Sequence, residues 1–485
     1  MTLERLRIVL FFNGIFVLAV SIAMLVPAVI DISFSNFRDA AVFLRSAMIT
    51  GAVALLLTVG FRPELQKLND RRTGLLITVS AWLSVSAVGA IPLYTSYLGI
   101  SWTDAVFEST SALTTTGSTI LTGLDDMPKG ILLWRSILQW IGGIGIIVMA
   151  LSVLPALGVG GMQLFRSESS DVSEKPFPKV RQLARNILLV YLTLTLACAV
   201  ALGVAGMSTF DALNHAMTTI ATGGLSTKDA SIGFYNSLPI ELVTIVFMIA
   251  GALPLAFYAV VLMSRGQRRT VEGQVVPFMA ILASAIFACM LWNISQGMEA
   301  GEALRKSAFN VTSILTDTGF ATDDFSAWGS FAVGLFFMLF LIGGCAGSTA
   351  GAIKIFRWQV LFGSANRSLK LVLYPNVAAS VRLNRKPVSD IAISNVRNFF
   401  FLYLMTLLVM SLLVSVTGLD YLSSISSVAQ AMANAGPGLG PVVGPATNFA
   451  SIPDLAKWLI AMSMIMGRLE LVTFFIVLQP WFWQR

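Results

Sequence analysis

The feature that most constrains this chain is a short segment that occurs four times. Each copy is an apolar run of about a dozen residues that ends in a small, polar stretch with a glycine. The endings are Thr114-Thr115-Thr116-Gly117-Ser118, Ile220-Ala221-Thr222-Gly223-Gly224, Thr316-Asp317-Thr318-Gly319-Phe320 and Ala433-Asn434-Ala435-Gly436-Pro437. A run of this length makes roughly 15–20 Å of helix, whereas a hydrocarbon core is about 30 Å thick. It can enter a membrane and turn back, but it cannot cross. The extended chain that follows is non-helical backbone at membrane depth, tolerated only where it is buried in protein or lines water. Four copies around one axis would make a pore.

Composition sets the medium. Of the 485 residues, 56% are hydrophobic and 12% charged, and the mean hydropathy is +0.80. A soluble domain carries about twice that charge fraction. The chain reads as an all-α polytopic membrane protein with ten transmembrane helices and four re-entrant pore loops. The helices are expected near 8–30, 41–61, 74–95, 131–155, 187–207, 239–263, 275–295, 329–362, 397–417 and 456–480. The first is read as retained, with no small-residue cleavage pattern after it. A leading helix pair (1–72) precedes four helix–pore loop–helix units, over 73–163, 164–270, 271–394 and 395–485. Lys and Arg concentrate in alternate connections. By the positive-inside rule both termini are then cytoplasmic, and all four short segments enter from outside.

The net charge of +7 follows from this topology, so no nucleic-acid partner is expected. Cys198, Cys289 and Cys345 sit in apolar stretches as packed thiols, without disulfide or metal spacing. His215 is the one histidine, and there is no His-Glu-x-x-His and no paired acidic motif on a helix. An enzyme is not expected, nor an organic cofactor. A scaffold would not need four such segments. Asp104, Asp125, Asp126, Asp323, Asp324 and Asp454 fall near the outer mouth. They form either a rim that concentrates cations or ordinary solvated carboxylates. On the inner side, Arg166 to Arg185 is polar and contains Lys175-Pro176-Phe177-Pro178. The long basic connection Gly363 to Asn395 carries an apolar patch, Leu369-Lys370-Leu371-Val372-Leu373-Tyr374. That patch is expected to dock a partner or to lie at the membrane interface.

A cation in a pore must exchange its hydration shell for other oxygens, and rings of backbone carbonyls supply them. Glycine reaches φ > 0, which lets carbonyls turn to one side of an extended strand. The short helix before each strand aims its partially negative end at the centre. The candidate filter residues are Thr115, Thr116 and Gly117; Ala221, Thr222 and Gly223; Asp317, Thr318 and Gly319; and Asn434, Ala435 and Gly436. Thr116, Thr222 and Thr318 directly precede the glycine in three copies, and Ala435 does in the fourth. Asp317 and Asn434 are expected to brace the strands from behind, with direct ion contact by Asp317 as the alternative. One glycine in each of four unequal strands implies moderate discrimination against Na⁺.

These four endings resemble the filters of the bacterial Trk-type potassium uptake proteins, TrkH and TrkG, within the superfamily that includes KtrB and the plant HKT proteins. The resemblance covers essentially the whole chain, and the leading helix pair is similar to TrkH and unlike KtrB. It implies pseudo-fourfold repeats around one ion pore in a bacterial inner membrane, with K⁺ as the transported ion held at the filter residues. It implies a homodimer and a cytosolic nucleotide-binding ring resembling TrkA, with any nucleotide on that partner. A Na⁺-permeable or H⁺-coupled K⁺ symporter is the rival reading, and the absence of obvious midplane carboxylate pairs argues weakly against coupling.

Two features look like gates. The eighth helix is interrupted by Gly343-Gly344-Cys345-Ala346-Gly347-Ser348-Thr349-Ala350-Gly351. Each glycine costs about 1 kcal/mol in a helix. The stretch is either a loop across the path or a close helix contact through small residues, and the resemblance favours an intramembrane gating loop. Arg468 is expected in mid-helix, between Met462 and Val477, where a cation costs roughly 3 kcal/mol or more unless water or a partner meets it. It faces either the pore or a structural carboxylate. Glu470, two residues on, points to another face. Lys354 is expected at the inner interface.

Overall fold

The computed structural model describes residues 3–63, 71–152, 176–258, 273–377, 379–383 and 386–484. The unit boundaries expected at 163/164 and 270/271, and the polar segment 166–175, lie outside the described residues.

The described residues are mainly helical and include one two-residue antiparallel pair, β1 (Arg382–Leu383) and β2 (Lys386–Pro387). The leading helices are α1 (Leu3–Ala23), α2 (Leu25–Ser33) and α3 (Phe37–Gly60). α1 and α2 run on as one long apolar stretch with a break at Met24, where Pro27 has no N–H to offer the Ala23 carbonyl. Four sets of helices then follow. First come α4 (Arg71–Thr95), α5 (Trp102–Leu113) and α6 (Lys129–Ser152); then α7 (Pro176–Val204), α8 (Thr209–Ile220) and α9 (Leu238–Ala252). α10 (Val275–Ser295), α11 (Ala300–Leu315) and α12 (Ser330–Phe340) follow, with α13 (Ile355–Leu373) after an irregular stretch. The last set is α14 (Asp390–Ser415), α15 (Tyr421–Ala433) and α16 (Asp454–Arg468), followed by α17 (Val472–Leu478) and α18 (Pro480–Trp483).

The short helices α5, α8, α11 and α15 have 12, 12, 16 and 13 residues. That is about 18–24 Å, less than a membrane thickness. Ser101, Ser208 and Asp420 cap three of them, each side chain accepting an N–H from the first turn. Among the described residues six helices are long and apolar enough to cross a membrane, or seven if α16 and α17, bent by 111°, form one span. The expected eighth span is not one helix: α12 and α13 flank the irregular residues 341–354. α9, with 15 residues, is also short.

Burial runs opposite to that of a water-soluble protein. The short helices bury Ser, Thr, Asn, Gln and Glu side chains, including Glu108, Asn214, Asn310 and Gln430. The long helices expose Leu56, Val59, Leu196, Val200, Phe287 and Leu412. Apolar faces of this extent belong against lipid tails, and the polar centre is covered by protein. This is a multi-pass membrane protein with its irregular backbone inside.

The leading helices join the rest through a polar contact. Asp31, fully buried, accepts the Gly130 N–H at 2.7 Å, in the first turn of α6. A carboxylate suits that helix end, and any Cβ at Gly130 would overlap it. Asp31→Ala should therefore strand a buried N–H, at a cost of about 1–3 kcal/mol. Melting of the purified protein in detergent should show a lower midpoint. An unchanged midpoint would mean that apolar contact alone holds the leading helices.

Candidate functional site: four turns meeting at the centre

Each short helix ends in the same turn. Thr115, Thr222, Asp317 and Asn434 adopt left-handed backbone, with φ of 57°, 51°, 59° and 57°. The N–H of Thr115 reaches back to the Ala112 carbonyl and that of Thr116 to the Ser111 carbonyl; the other three copies repeat both bonds. This pair of bonds satisfies the last carbonyls of a helix, and the left-handed position usually falls to glycine. Here glycine comes two residues later. Gly117, Gly224, Gly319 and Gly436 have φ of 85°, 74°, 86° and 74°.

This register corrects the sequence reading in the second copy. Gly224, not Gly223, matches the other three glycines, and Thr222 matches Thr115 rather than Thr116. The doubled glycine hid the offset, because two adjacent glycines offer two equally good alignments. Distance from the helix end decides between them.

The four strands form a closed ring. Gly117 lies against the Gly223 carbonyl, Gly224 against the Thr318 carbonyl, and Gly319 against Gly436. The Gly436 N–H donates to the Thr116 carbonyl at 2.5 Å and returns the ring to the first strand. All twelve candidate filter residues are thus brought together, with Ala221 one step behind as the residue closing α8. Hydroxyls stack along two strands: the Thr114 and Thr116 oxygens are 2.8 Å apart, as are those of Thr316 and Thr318. Asn434 braces as expected, its Nδ2 donating to the Met464 carbonyl and Thr116 Oγ1, each at 3.0 Å. The buried Asp317 carboxylate lies against the backbone of Gly343, Gly344 and Gly351 and has no side-chain hydrogen bond among the described residues. Lys354 and Arg468 are the opposite charges that act on it. The oxygens at the ring are carbonyls and hydroxyls, the donor type suited to a hard alkali cation.

Residues 341–354 pass beside the ring and are stitched to the helix ends around it. Thr349 Oγ1 donates to the Ile220 carbonyl at 2.9 Å, Cys345 N–H to Ala252, and Ala352 N–H to Ala433. Arg468 holds the same stretch: its Nη1 donates to the Thr349 carbonyl at 3.1 Å and its Nη2 to the Gly142 carbonyl at 3.3 Å. Arg468 is not in mid-helix. It is the last residue of α16, and Glu470 and Leu471 turn the chain with φ of 55° and 50°. Arg468 is buried, and no carboxylate hydrogen-bonds to it among the described residues. Glu470 instead pairs with Arg357 at 2.5 Å. Lys354 is also buried and donates to the Ala350 carbonyl, so it does not sit at an interface.

Of the six acidic residues expected at the outer mouth, three make close pairs with lysines. Asp104 meets Lys457 at 2.6 Å, Asp125 meets Lys228 at 3.1 Å, and Asp323 meets Lys306 at 2.6 Å. Asp324 caps a short turn instead. These pairings weaken the cation-concentrating reading of the rim. Sequence reasoning missed the residues behind the strands: Glu108, Arg135, Gln139, His215, Asn310, Ser426 and Gln430. The signal was present, because Glu108, His215 and Asn310 each stand six residues before Thr114, Ala221 and Thr316, the residues that close their helices.

The TrkH family, described as cation transport protein, matches residues 40–273 and 279–483. The Trk system potassium uptake protein TrkI of Halomonas elongata is 41% identical over 487 residues, 100% of this chain and 98% of its own length. TrkH of Salmonella typhimurium is 37% identical over 478 residues, covering 97% of this chain and 98% of its own. The crystal structure of the potassium transporter TrkH from Vibrio parahaemolyticus superposes with a TM-score of 0.91 at 34% identity, over 99% of this chain and 100% of that one.

If Arg468 anchors the stretch beside the ring, Arg468→Ala leaves the Thr349 and Gly142 carbonyls without their donor. Amides in 343–351 should then exchange with deuterium at least about tenfold faster, as a loss of roughly 1.4 kcal/mol of local stability would give. Wild-type exchange rates would show that the stretch holds without the arginine.

Proposed function

The chain belongs to the TrkH family of cation transport proteins, and from that premise we propose that it takes up K⁺ across a bacterial inner membrane. The observation that carries the reading is the closed ring of four glycine turns inside a body with apolar outer faces. Relatives over the whole chain are potassium uptake proteins, which supports K⁺ as the ion. Four helix–pore loop–helix units follow the leading pair, and their short helices are re-entrant. The ring is the filter. Its carbonyl and hydroxyl oxygens replace water around the ion, and the C-terminal ends of the four short helices favour positive charge there. Residues 343–351 are the gating loop, and Arg468 both fastens the loop and opposes a passing cation.

The subunit works as a homodimer with a cytosolic nucleotide-binding ring. The exposed end of α13 supports a docking surface: Leu369, Val372, Leu373 and Tyr374 all face outward beside Lys370. Replacing Leu369, Val372 and Leu373 with Ser should reduce recovery of that partner by pull-down from native membranes and leave the dimer intact. Equal recovery would remove this surface from the proposal.

One observation favours a second reading. A carboxylate fully buried beside the ring, as at Asp317, is a place where a proton can bind. That would suit H⁺-coupled K⁺ symport. Flux of K⁺, Rb⁺ and Na⁺ into proteoliposomes tests both readings. A rate set by the K⁺ gradient alone fits a channel. Acceleration by an inward proton gradient that disappears in Asp317→Asn fits symport.

The register of the ring makes a sharper prediction. Gly224→Ser puts a side chain on left-handed backbone and onto the Thr318 carbonyl, whereas Gly223→Ala meets the Gln139 side chain. The K⁺/Na⁺ permeability ratio should fall more in Gly224→Ser than in Gly223→Ala. The reverse order would restore Gly223 as the ring glycine.

A further inference from the structure

We propose that Arg135 is a positioning residue that fixes the spacing of the first two filter strands and thereby the ion preference of the pore, an inference that rests on the filter reading above. Each strand, once past its ring glycine, is tied back to its own short helix. Glu108 accepts the Ile120 N–H at 2.9 Å and the Thr119 hydroxyl at 3.0 Å. His215 Nε2 meets Ser226 Oγ at 2.9 Å. Asn310 Oδ1 accepts the Thr322 N–H at 3.1 Å, and its Nδ2 donates to Thr322 Oγ1 at 2.9 Å. In the fourth copy the Ser426 hydroxyl donates to the Leu439 carbonyl at 3.0 Å and accepts the Leu439 N–H at 2.9 Å. The same mechanical task falls to a carboxylate, an imidazole, a carboxamide and a hydroxyl.

The first tie differs from the rest in charge and in reach. Arg135, from α6, donates from Nε to Glu108 at 2.6 Å and from Nη2 to Thr119 Oγ1 at 3.0 Å. Its Nη1 crosses to the second strand and donates to the Ser226 carbonyl at 3.2 Å. Thr119 lies two residues beyond Gly117, and Ser226 two residues beyond Gly224. One guanidinium therefore grips two neighbouring strands at equal steps past the ring, about 7 Å of extended chain from each glycine. The far side of Ser226 is held as well. Its Oγ accepts the Lys228 N–H at 3.0 Å. The Asp211 carbonyl can only accept, so His215 carries its proton on Nδ1 and Nε2 is left to take the Ser226 hydroxyl proton.

Stability does not explain this arrangement. The side chains of Arg135 and Glu108 are 1% and 0% exposed, and apolar residues of similar volume commonly stabilise as much as a buried ion pair. A planar fork with three contacts in fixed directions does what an apolar cluster or an ammonium cannot: it sets a distance. Discrimination between K⁺ and Na⁺ depends on the spacing and number of the coordinating oxygens, so a bridge between two of four strands acts on selectivity through them.

The decisive variant is Arg135→Lys, which keeps the charge beside Glu108 and loses the fork. In proteoliposomes its K⁺/Na⁺ permeability ratio should fall about tenfold, equivalent to about 1.4 kcal/mol of lost discrimination. Gly117→Ser is measured alongside. A wild-type ratio in Arg135→Lys with a lowered ratio in Gly117→Ser overturns the positioning role and leaves the filter standing. Wild-type ratios in both overturn the filter reading itself. A lower melting midpoint with an unchanged ratio makes the pair structural only and also overturns the proposal. Should Arg135→Lys fail to reach the membrane, the double variant Glu108→Gln/Arg135→Gln, which strands no charge, decides by the same ratio. A fall supports the proposal and no change overturns it.

Discussion

Everything at the centre of this protein answers to one constraint: four helices end inside an apolar body, and each leaves carbonyls that no helical N–H can reach. Water meets that need at a surface. Here the protein supplies the donors. Two backbone bonds at each turn satisfy the first of the carbonyls. Others are taken by Thr349 Oγ1 at Ile220 and by Ala352 N–H at Ala433, while the Arg468 guanidinium takes the carbonyls of Thr349, in the irregular stretch, and of Gly142, within α6. The helix ends carry partial negative charge, so an arginine among them is stabilised where it would be costly against lipid alone. In the proposed mechanism Arg468 then occupies carbonyl oxygens of the kind that a transported cation seeks.

The same logic accounts for where charge is allowed. Glu108 with Arg135, and Arg357 with Glu470, are carboxylate–guanidinium pairs whose partners come from different elements. Lys457 reaches from α16 to Asp104 on α5. Each joins a short helix, a strand or the turn after α16 to a neighbouring element, so the charges work as cross-links. Asp317 is buried with Lys354 and Arg468 nearby, yet neither cation bonds to it among the described residues. That imbalance is why the rival coupled mechanism centres on it.

The sequence made the architecture legible because repetition and length need no partners to be read. Four short apolar runs with a common ending, and four glycines within nine residues near Cys345, stand out without any structure. The bracing by Asn434 followed from local geometry, whereas setting Glu470 apart from Arg468 by helix spacing assumed a continuous helix that the chain does not form there. Three things were not legible. The second copy offers two adjacent glycines, and only the hydrogen bonds at the end of α8 choose Gly224. The stretch 456–480 is apolar on both sides of Arg468 and Glu470 and long enough to span, so its length favoured one continuous helix over the turn at Glu470 and Leu471 that makes Arg468 a helix terminus. The partners of Asp104, Asp125 and Arg135 lie on other elements, and pattern within one element cannot find them.

The left-handed residues bear on the same question. Glycine would take those four positions without strain, yet Thr115, Thr222, Asp317 and Asn434 hold them, at a cost of order 1–3 kcal/mol each. A side chain there must do something that glycine cannot. Asn434 ties its strand to Thr116 and to α16. Thr222 Oγ1 reaches Thr349 Oγ1 at 3.2 Å, joining the second turn to residues 343–351. Asp317 lies against the backbone of Gly343, Gly344 and Gly351 in the same stretch. Thr115 makes no such bond through its hydroxyl. Three of the four strained positions thus link the ring to another element, two of them to the stretch proposed as the gate. The strain sits where movement of that stretch and the shape of the ring would be felt by each other.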